Sequence, residues 1–412
     1  MINLNFAPNE TFSDALTSFL LLFQPWRWKK GEELEKVKKE ILKNYLNVTN
    51  YKLHITLFFS GRSAIYHLLK SLNLKEKDEV LVQAFTCEAV VLPILALKLK
   101  PVFFDIEKKS FSANPIDLEK KISEKSKVVI LQHTFGIIPS QREKILSIIK
   151  KNKLVLIEDI AHGIKNSNFK TKILKTKNHF YLLSFGRSKS LSSVFGGAVV
   201  TKNKEIARKL DSLNLTYPSH SLIFKLLLYK PIAFLVKVSY NIYLGRILHF
   251  FSQKLHLLIS EITSKEKKGE YDNFFDKKYP NALAILLLNQ LKRFGKIQRE
   301  RKKITNFYLK KLLPNNQSLI TNNALIRFPL LIKNRDKIWL NLAKKGIFLG
   351  RWYDNPIAPK ELPLDRVGYR WKSCPVAEEV CKKIINLPTT NIKLKEAKKL
   401  INTLNDVLKT KL

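Results

Sequence analysis

The sequence predicts an α/β fold with a large, mostly parallel-sheet domain and a smaller C-terminal α/β domain. Short apolar runs alternate with helix-length segments from about residue 53 to residue 201, and this alternation is typical of parallel strands joined by crossover helices. A chain of 412 residues also exceeds what one hydrophobic core usually serves. Hydrophobic residues make up 45% and charged residues 26% of the chain, as expected of a folded globular protein.

The predicted elements of the large domain are short apolar strands and the helices between them. Strands are predicted at 79–82, 101–104, 127–131, 154–157, 180–183 and 197–200, and helices at 63–72, 87–97 and 141–150. In parallel sheets, ligands bind beyond the carboxyl ends of the strands. The segments that leave each strand are therefore the places where a functional site is expected.

The rest of the chain is predicted to form an arm, an insert and a second domain. The predicted division is an N-terminal arm (1–50), a large cofactor-binding domain (51–215), an apolar and basic insert (216–270), and a connecting helix with a small domain (271–412). Within the last part, a long helix is predicted at 282–312, a strand at 324–332, and helices at 336–345, 377–386 and 394–408. Residues 264–270 are predicted to be a charged linker.

The charge of the chain is strongly positive. Lysine and arginine number 74 against 34 acidic residues, which leaves a net charge of +40. Such an excess can serve nucleic acid or an anionic membrane surface. Only 14 of the basic residues are arginine, the residue favoured for phosphate and base recognition, and the lysines are spread along the whole chain. The composition therefore disfavours a nucleic-acid partner.

The cysteines and the N-terminus indicate a cytoplasmic protein. Three cysteines are too few for a disulfide framework, and an odd number cannot all pair within the chain. This favours a reducing compartment. Glu10 and Asp14 precede a short apolar run at 19–23, whereas a secretory signal requires a basic start and a longer apolar segment. A position at the inner face of the membrane stays open because of the insert.

The insert supports two interpretations. Large apolar residues and recurring lysines alternate over 222–259, and no window offers the ~20 uncharged apolar residues of a spanning helix. Helices of this kind can lie in a membrane interface, with their lysine stems extended toward water. They can equally pack on their own domain or across a dimer. The aromatic and basic cluster at 26–30 leaves two alternatives, a contact with a membrane interface or an arm that packs on a partner subunit.

Three motifs together predict a cofactor. Asp159 ends a buried strand, Lys189 lies in a turn between two strands, and Gly61 opens a helix within a Ser-Gly-Arg-Ser-Ala segment. A desolvated lysine can form a Schiff base, and a helix N-terminus attracts phosphate through its free N–H groups and dipole. Pyridoxal 5′-phosphate needs a lysine, an acid for its ring nitrogen and a phosphate cradle. We therefore predict that this cofactor binds here, and we assign no metal ligand.

These motifs resemble those of the DegT/DnrJ/EryC1/StrS aminotransferases, pyridoxal-phosphate enzymes of fold type I that aminate nucleotide-linked keto sugars. The resemblance runs from about residue 60 to the C-terminus and is densest at 61–64, 78–86, 100–105, 158–161, 184–198 and 374–378. It implies that Lys189 binds the cofactor covalently and moves the proton, and that Asp159 pairs with the ring nitrogen. The other implied cofactor-binding residues are Gly61, Arg62, Ser63, Cys87, His162 and Ser184.

Some positions depart from the family pattern. Cys87 stands where many members have an aromatic residue over the ring, and His162 stands where glutamine is usual beside the phenolic oxygen. Asn281 is the candidate for a substrate-binding asparagine that reaches into the partner subunit's site.

The resemblance implies a transaminase that forms a homodimer. Its small-molecule substrates would be an amino donor, glutamate, and a keto sugar nucleotide, in cell-surface polysaccharide or amino-sugar biosynthesis. Lys189 favours transamination because relatives that dehydrate sugars replace this lysine. The alternative is a catalytically degenerate member that binds a membrane or a partner. Cys87, His162 and the insert favour that alternative, whereas Lys189 with Asp159 opposes it.

Overall fold

The structure is a computed structural model that describes residues 2–3, 9–48, 53–163, 176–312 and 324–409. Its arm contains helices α1 (Phe12–Leu22) and α2 (Glu33–Glu40), separated by a 3-10 turn and followed by a π-helical turn. Thr11 begins α1 because its backbone N–H and hydroxyl both donate to the Asp14 carboxylate. The arm packs against its own chain: the hydroxyl of Ser18 donates to the carbonyl of Leu227 at 2.7 Å.

A seven-stranded sheet forms the centre of the large domain. Its strands are β1 (His54–Phe58), β2 (Glu79–Gln83), β3 (Lys100–Phe104), β4 (Ser126–Gln132), β5 (Val155–Asp159), β6 (His179–Ser184) and β7 (Gly197–Thr201). Their order is β1-β7-β6-β5-β4-β2-β3, and β7 is antiparallel to both neighbours while the other pairs are parallel. The six predicted strands and the α/β class are confirmed. Strand β1 was not predicted, because its short run of alternating residues is identified only by its pairing with β7.

Helices cover both faces of this sheet. The helices of this part of the chain are α3 (Gly61–Ser71), α4 (Glu88–Ala96), α5 (Pro115–Lys121), α6 (Arg142–Lys151), α7 (Lys204–Asp211), α8 (His220–Ser239), α9 (Leu244–Lys254), α10 (Asn281–Leu291) and α11 (Phe294–Leu312). Of these, α9 packs on α8 outside the layer that covers the sheet. Side-chain caps define several of their starts: Ser60, Asn114, Asn203 and Ser219 accept hydrogen bonds from the first-turn N–H groups of α3, α5, α7 and α8.

The single helix predicted over 282–312 is wrong, because the chain turns between α10 and α11. The N–H of Arg293 donates to the carbonyl of Gln290 at 3.0 Å, which closes a 3-10 turn. The same residue directs its guanidinium to the Asp14 carboxylate, at 2.7 and 2.8 Å. The turn between α10 and α11 therefore coincides with an ion pair to Asp14, a residue that is distant in sequence.

The C-terminal part contains β8 (Arg327–Leu331), α12 (Arg335–Lys344), α13 (Pro375–Lys383), β9 (Ile384–Pro388) and α14 (Leu394–Lys409). The helix predicted over 377–386 is wrong at its end. From Ile384 the chain is extended and pairs antiparallel with β8. The apolar residues of α13 continue into β9 without a break in the sequence pattern. The pairing of β9 with β8 is therefore what marks the end of the helix.

Short pairings join distant segments. Ile2–Asn3 pairs with Ile347–Phe348, and Thr86–Cys87 pairs with Ile357–Ala358, both parallel. Ile106–Glu107 pairs antiparallel with Ser112–Ala113. The remaining short elements are 3-10 turns at Thr134–Gly136, Tyr240–Ile242 and Asn273–Phe275 and one helical turn at Ser264–Lys267.

The core lies on both faces of the sheet. Because strand side chains alternate, Val80 and Val82 of β2 face a core shared with α3, α4 and the C-terminal part, while Leu81 faces α5 and α6. A separate core joins the arm, α8 and α10 to β6 and β7. Across the described ranges, none of the helices is both long enough and apolar enough to span a membrane.

Candidate active site

A cavity of about 480 Å³ opens beyond the carboxyl ends of β4, β5 and β6. Gln132, Asp159 and Ser184, the last residues of these strands, all line it. Its volume is within the range of small-molecule and cofactor sites. Seven of the predicted site residues line this cavity: Gly61, Arg62, Cys87, Asp159, His162, Ser184 and Lys189.

Asp159 is a buried carboxylate at the end of β5. It is 4% exposed, and its Oδ1 accepts a hydrogen bond from the N–H of Ala161 at 2.9 Å. Burial raises the pKa of Asp159 above its ordinary value, while the charge of Lys189 and the Ala161 N–H oppose that rise. The two predicted catalytic side chains are thus close enough to interact electrostatically.

Lys189 lies in the loop between β6 and β7. Its N–H donates to the carbonyl of Gly186 at 3.1 Å, and its Nζ lies 5.8 Å from the centre of the Trp352 ring. The backbone of the loop is fixed by the arm, because the side-chain amide of Asn9 donates a hydrogen bond to the Lys189 carbonyl. The amine therefore projects into the cavity from a backbone that is fixed on its other side.

The N-terminus of α3 forms a second wall of the cavity. A Cβ atom at Gly61 would lie 3.1 Å from both Cβ and Oγ of Ser184, so the helix start packs directly against the end of β6. A Cβ at Gly197 would lie 2.4 Å from the Ser60 carbonyl oxygen. Glycine at both positions allows this close approach. The first N–H groups of the helix and the Ser184 hydroxyl together form a cradle suited to an anion.

Arg62 is held by carboxylates from other segments. Its guanidinium forms an ion pair with the buried Glu266, donates to the carbonyl of Glu261 at 2.8 Å and lies 3.7 Å from Glu88. Since Glu266 is 0% exposed, the predicted charged linker at 264–270 is anchored to Arg62 at this residue. That segment fixes one edge of the cavity, and Glu261 itself lines the cavity and accepts from the N–H of Arg187 at 2.9 Å.

Glu88, which the sequence analysis missed, is an ionisable group of the cavity wall. Burial raises its pKa to about 7; the charge of Arg62 opposes this rise and the charge of Glu266 adds to it. Burial likewise raises the pKa of the neighbouring Cys87 to about 12, with a further contribution from Glu88. The Cys87 side chain is therefore a thiol at neutral pH. A carboxylate at the first position of a helix, directly after a predicted site residue, was the available signal.

His162 is a neutral, oriented ring. Burial lowers its pKa well below 6.5, and the charges of Lys189 and Arg327 lower it further. Its Nδ1 accepts from the N–H of Phe135 at 3.1 Å, so the neutral ring carries its proton on Nε2, 3.3 Å from the Tyr353 hydroxyl.

Trp352 and Tyr353 were also missed by the sequence analysis. The Trp352 ring stacks on His162 with centroids 5.6 Å apart, and the Arg327 guanidinium lies 3.4 Å from its centre. The pairing of Thr86–Cys87 with Ile357–Ala358 brings this loop to the cavity. Two adjacent aromatic residues between Arg351 and Asp354 were the only local signal.

Two predicted residues are not brought to the cavity. Ser63 is fully buried and its hydroxyl donates to Asp276 at 3.0 Å. Asn281 is also fully buried, and its amide donates to the Arg27 carbonyl at 3.0 Å and to Glu33 at 2.8 Å. In this chain both side chains join segments of the fold, and the roles in binding predicted for them stay predictions. His133 is also fully buried, and its Nε2 lies 3.7 Å from Glu158.

Comparison with known proteins identifies relatives over most of the chain. The sequence model of the DegT/DnrJ/EryC1/StrS aminotransferase family matches residues 19–219 and 261–405. An uncharacterised protein of Methanocaldococcus jannaschii is 35% identical over 178 residues, which are 43% of this chain and 44% of that protein. GDP-perosamine synthase of Escherichia coli O157:H7 is 29% identical over 181 residues, 44% of this chain and 48% of the enzyme. These matched stretches thus span less than half of each curated relative.

The fold is also similar to that of solved structures. The crystal structure of NtdA from Bacillus subtilis, with bound cofactor PMP, matches with a TM-score of 0.69 at 21% identity. The match covers 96% of this chain and 82% of NtdA. At 21% identity, this similarity shows that the two proteins share a fold.

Proposed function

Because this chain belongs to the DegT/DnrJ/EryC1/StrS aminotransferase family, we propose that it binds pyridoxal 5′-phosphate and transfers an amino group to the ketone of a nucleotide-linked sugar. One observation carries the proposal: Lys189 and Asp159 line a single cavity together with the N-terminus of α3. A protein that had kept only the fold would have no physical need for this amine and this carboxylate in one place. That argues against the catalytically degenerate alternative.

The residues of the cavity fit the cofactor. The cradle at Gly61 and Ser184, which a Cβ would fill, suits its phosphate. Asp159 suits the ring nitrogen and Lys189 the aldehyde. Cys87, His162 and Trp352 also line the cavity, as walls between the phosphate cradle and the site of Asp159 and Lys189.

The reaction follows from what these side chains can do. When bound, the cofactor supplies an aldehyde and a ring that accepts electrons. The Lys189 amine would hold the aldehyde at rest and, once a donor amine displaces it, would move the proton at the donor's α-carbon. The Asp159 carboxylate would keep the ring nitrogen protonated, and the Lys189 charge and the Ala161 N–H support its ionised form.

The substrates are proposed from the relatives. GDP-perosamine synthase is named for a nucleotide-linked amino sugar, which supports a keto sugar nucleotide as acceptor. Glutamate as the donor, biosynthesis of surface polysaccharide or amino sugars as the setting, and a homodimer as the assembly rest on the family resemblance.

The proposal is tested by half-reactions on the purified protein. Glutamate should convert the protein-bound pyridoxal form to the amino form, and a keto sugar nucleotide should convert it back, with both steps followed by cofactor absorbance. The expected result is a full cycle with at least one nucleotide-linked keto sugar and none with the corresponding free sugar. A protein that binds pyridoxal phosphate but completes neither half-reaction with any amino acid or keto sugar nucleotide would contradict the proposed function.

Arg301 is expected to position the loop that carries Lys189. This residue of α11 is 1% exposed, and its guanidinium donates to Ser190 at 2.9 Å, to Asn9 at 2.7 Å and to Thr390 at 2.7 Å. Burial lowers its pKa to about 10. It thereby ties the Lys189 loop to the arm and to the C-terminal part.

We expect Arg301→Gln to lower kcat about 10- to 100-fold, because small displacements of a catalytic amine are costly, while KM changes little. Steady-state kinetics with the visible cofactor spectrum would check this. Lys303→Gln, an exposed neighbour on the same helix, is the control. Loss of thermal stability with an unchanged kcat would show a purely structural role.

A further inference from the structure

Exposed apolar side chains are concentrated on one part of this molecule. Within the described part of the chain, sixteen of the twenty large apolar side chains that are exposed belong to two segments. We call these sixteen the exposed apolar face: Phe12, Leu16, Phe19, Leu20, Phe23, Trp26, Phe224, Leu235, Val238, Ile242, Tyr243, Leu244, Ile247, Phe250, Phe251 and Leu255. Concentrations of this kind mark interaction surfaces, whereas single exposed apolar residues do not.

The face is built by three helices that pack in succession. Helix α1 packs on α8, and α8 packs on α9; the rings of Phe12 and Phe234 lie 5.7 Å apart. On α1 the exposed residues recur at spacings of three and four, which places them on one side of the helix. Helix α8 buries its opposite side, including Ile223 and Leu227, in the core. The insert is therefore integrated in the fold, and its outer side remains free.

The two segments that carry this face expose charge of one sign, while Glu396, from another segment, lies close enough to act on Lys237. Residues 212–260 contain no aspartate or glutamate. Residues 9–30 contain two acids, Glu10 and Asp14; both are buried, and they pair with Lys230 at 3.1 Å and Arg293 at 2.7 Å. The basic residues Lys237, Arg246 and Lys254 are exposed among the apolar side chains.

We propose that the exposed apolar face docks on the surface of an anionic lipid bilayer. Anionic headgroups would meet the exposed cations, and the apolar stripes would enter the boundary between headgroups and acyl chains. A second copy of the chain fits less well, because a two-fold interface places the same surface against itself and would bring these cations together, while Glu396 offsets the charge of Lys237 alone among them. The chain leaves α9 toward the cavity, which Glu261 and Ile262 line, so docking would hold the cavity next to the bilayer.

Two sets of substitutions separate the apolar and the electrostatic contributions. The apolar variant changes Ile242, Leu244, Ile247 and Phe250 to glutamine, and its control changes the exposed Ile116, Leu340, Trp371 and Leu408, which lie outside the face. The charge variant changes Lys237, Arg246 and Lys254 to glutamine, and its control changes the exposed Lys120, Lys144 and Lys337. All are full-length chains, and thermal melting verifies that each one folds.

Binding is measured by co-sedimentation with vesicles of phosphatidylcholine and phosphatidylglycerol at about 3:1, at about 0.1 and about 0.5 M salt. Full binding at low salt and weaker binding at high salt are expected for the unchanged chain. The apolar variant should bind at least about 100-fold more weakly. The charge variant should bind about 10- to 100-fold more weakly at low salt and depend less on salt. Both controls should bind like the unchanged chain.

The proposal fails if the unchanged chain does not bind these vesicles at low salt. It also fails if a control variant loses as much binding as the apolar or charge variant that it is compared with. It also fails if the apolar variant binds as tightly as the unchanged chain. Size-exclusion chromatography tests the competing occupant: a dimer that the apolar variant breaks, without vesicle binding by the unchanged chain, would assign the face to a second copy. Should the apolar variant fail to fold, the charge variant still decides the question. None of these measurements depends on transaminase activity.

Discussion

Lys189→Ala is expected to abolish covalent cofactor attachment and to lower the transamination rate at least about 1,000-fold. The Lys189 amine would both bind the aldehyde and move the proton, and its loop is fixed by Gly186 and Asn9, so no neighbouring side chain can replace it in both roles. Borohydride reduction followed by peptide mass spectrometry checks the attachment directly. The unchanged protein should carry the cofactor on the peptide that contains residue 189.

Lys189→Arg is the matched variant. It keeps a positive charge near Trp352 and Asp159 but cannot form the covalent bond, so it should be as inactive as the alanine variant while it melts at nearly the same temperature as the unchanged protein. Attachment of the cofactor to a different lysine in the unchanged protein would show that the assignment of Lys189 is wrong.

Asp159→Asn is expected to lower the transamination rate about 100-fold or more and the cofactor affinity less than about 10-fold. The amide replaces the carboxylate at nearly the same size, but it cannot hold the ring nitrogen protonated, so the ring accepts electrons poorly. The affinity changes less because a single hydrogen bond is altered and the phosphate cradle at α3 is untouched. Cofactor titration together with single-turnover rates measures the two effects separately.

Asp159→Glu distinguishes charge from position. It restores a carboxylate with a longer side chain, and we expect its rate to lie between those of the unchanged protein and the asparagine variant. If the asparagine variant turns over at a near-normal rate, Asp159 has no role in the electronics of the ring. If the two variants are equally impaired, position rather than charge dominates.

Local residue patterns identify some elements of this fold and not others. Strands β2 to β7 were predicted because each is a short apolar run followed by a polar segment, and the site residues Asp159 and Ser184 lie directly at strand ends. The helix predicted through 384–386 failed because strand pairing, which connects residues more than fifty positions apart, overrides local periodicity.

The sequence by itself determined which residues could form the site. Lys189, Asp159 and the Gly61 turn each follow or open a regular element, and the carboxyl ends of parallel strands lie at one edge of a sheet whatever the details of packing.

Only the tertiary structure decided which neighbours surround these residues. It brought Trp352 and Tyr353 to the cavity, placed Arg301 behind the Lys189 loop, and turned Ser63 and Asn281 into contacts between segments. The physical reason is that such contacts join segments far apart in the chain. Their geometry depends on how whole elements pack, which no local pattern of residues encodes.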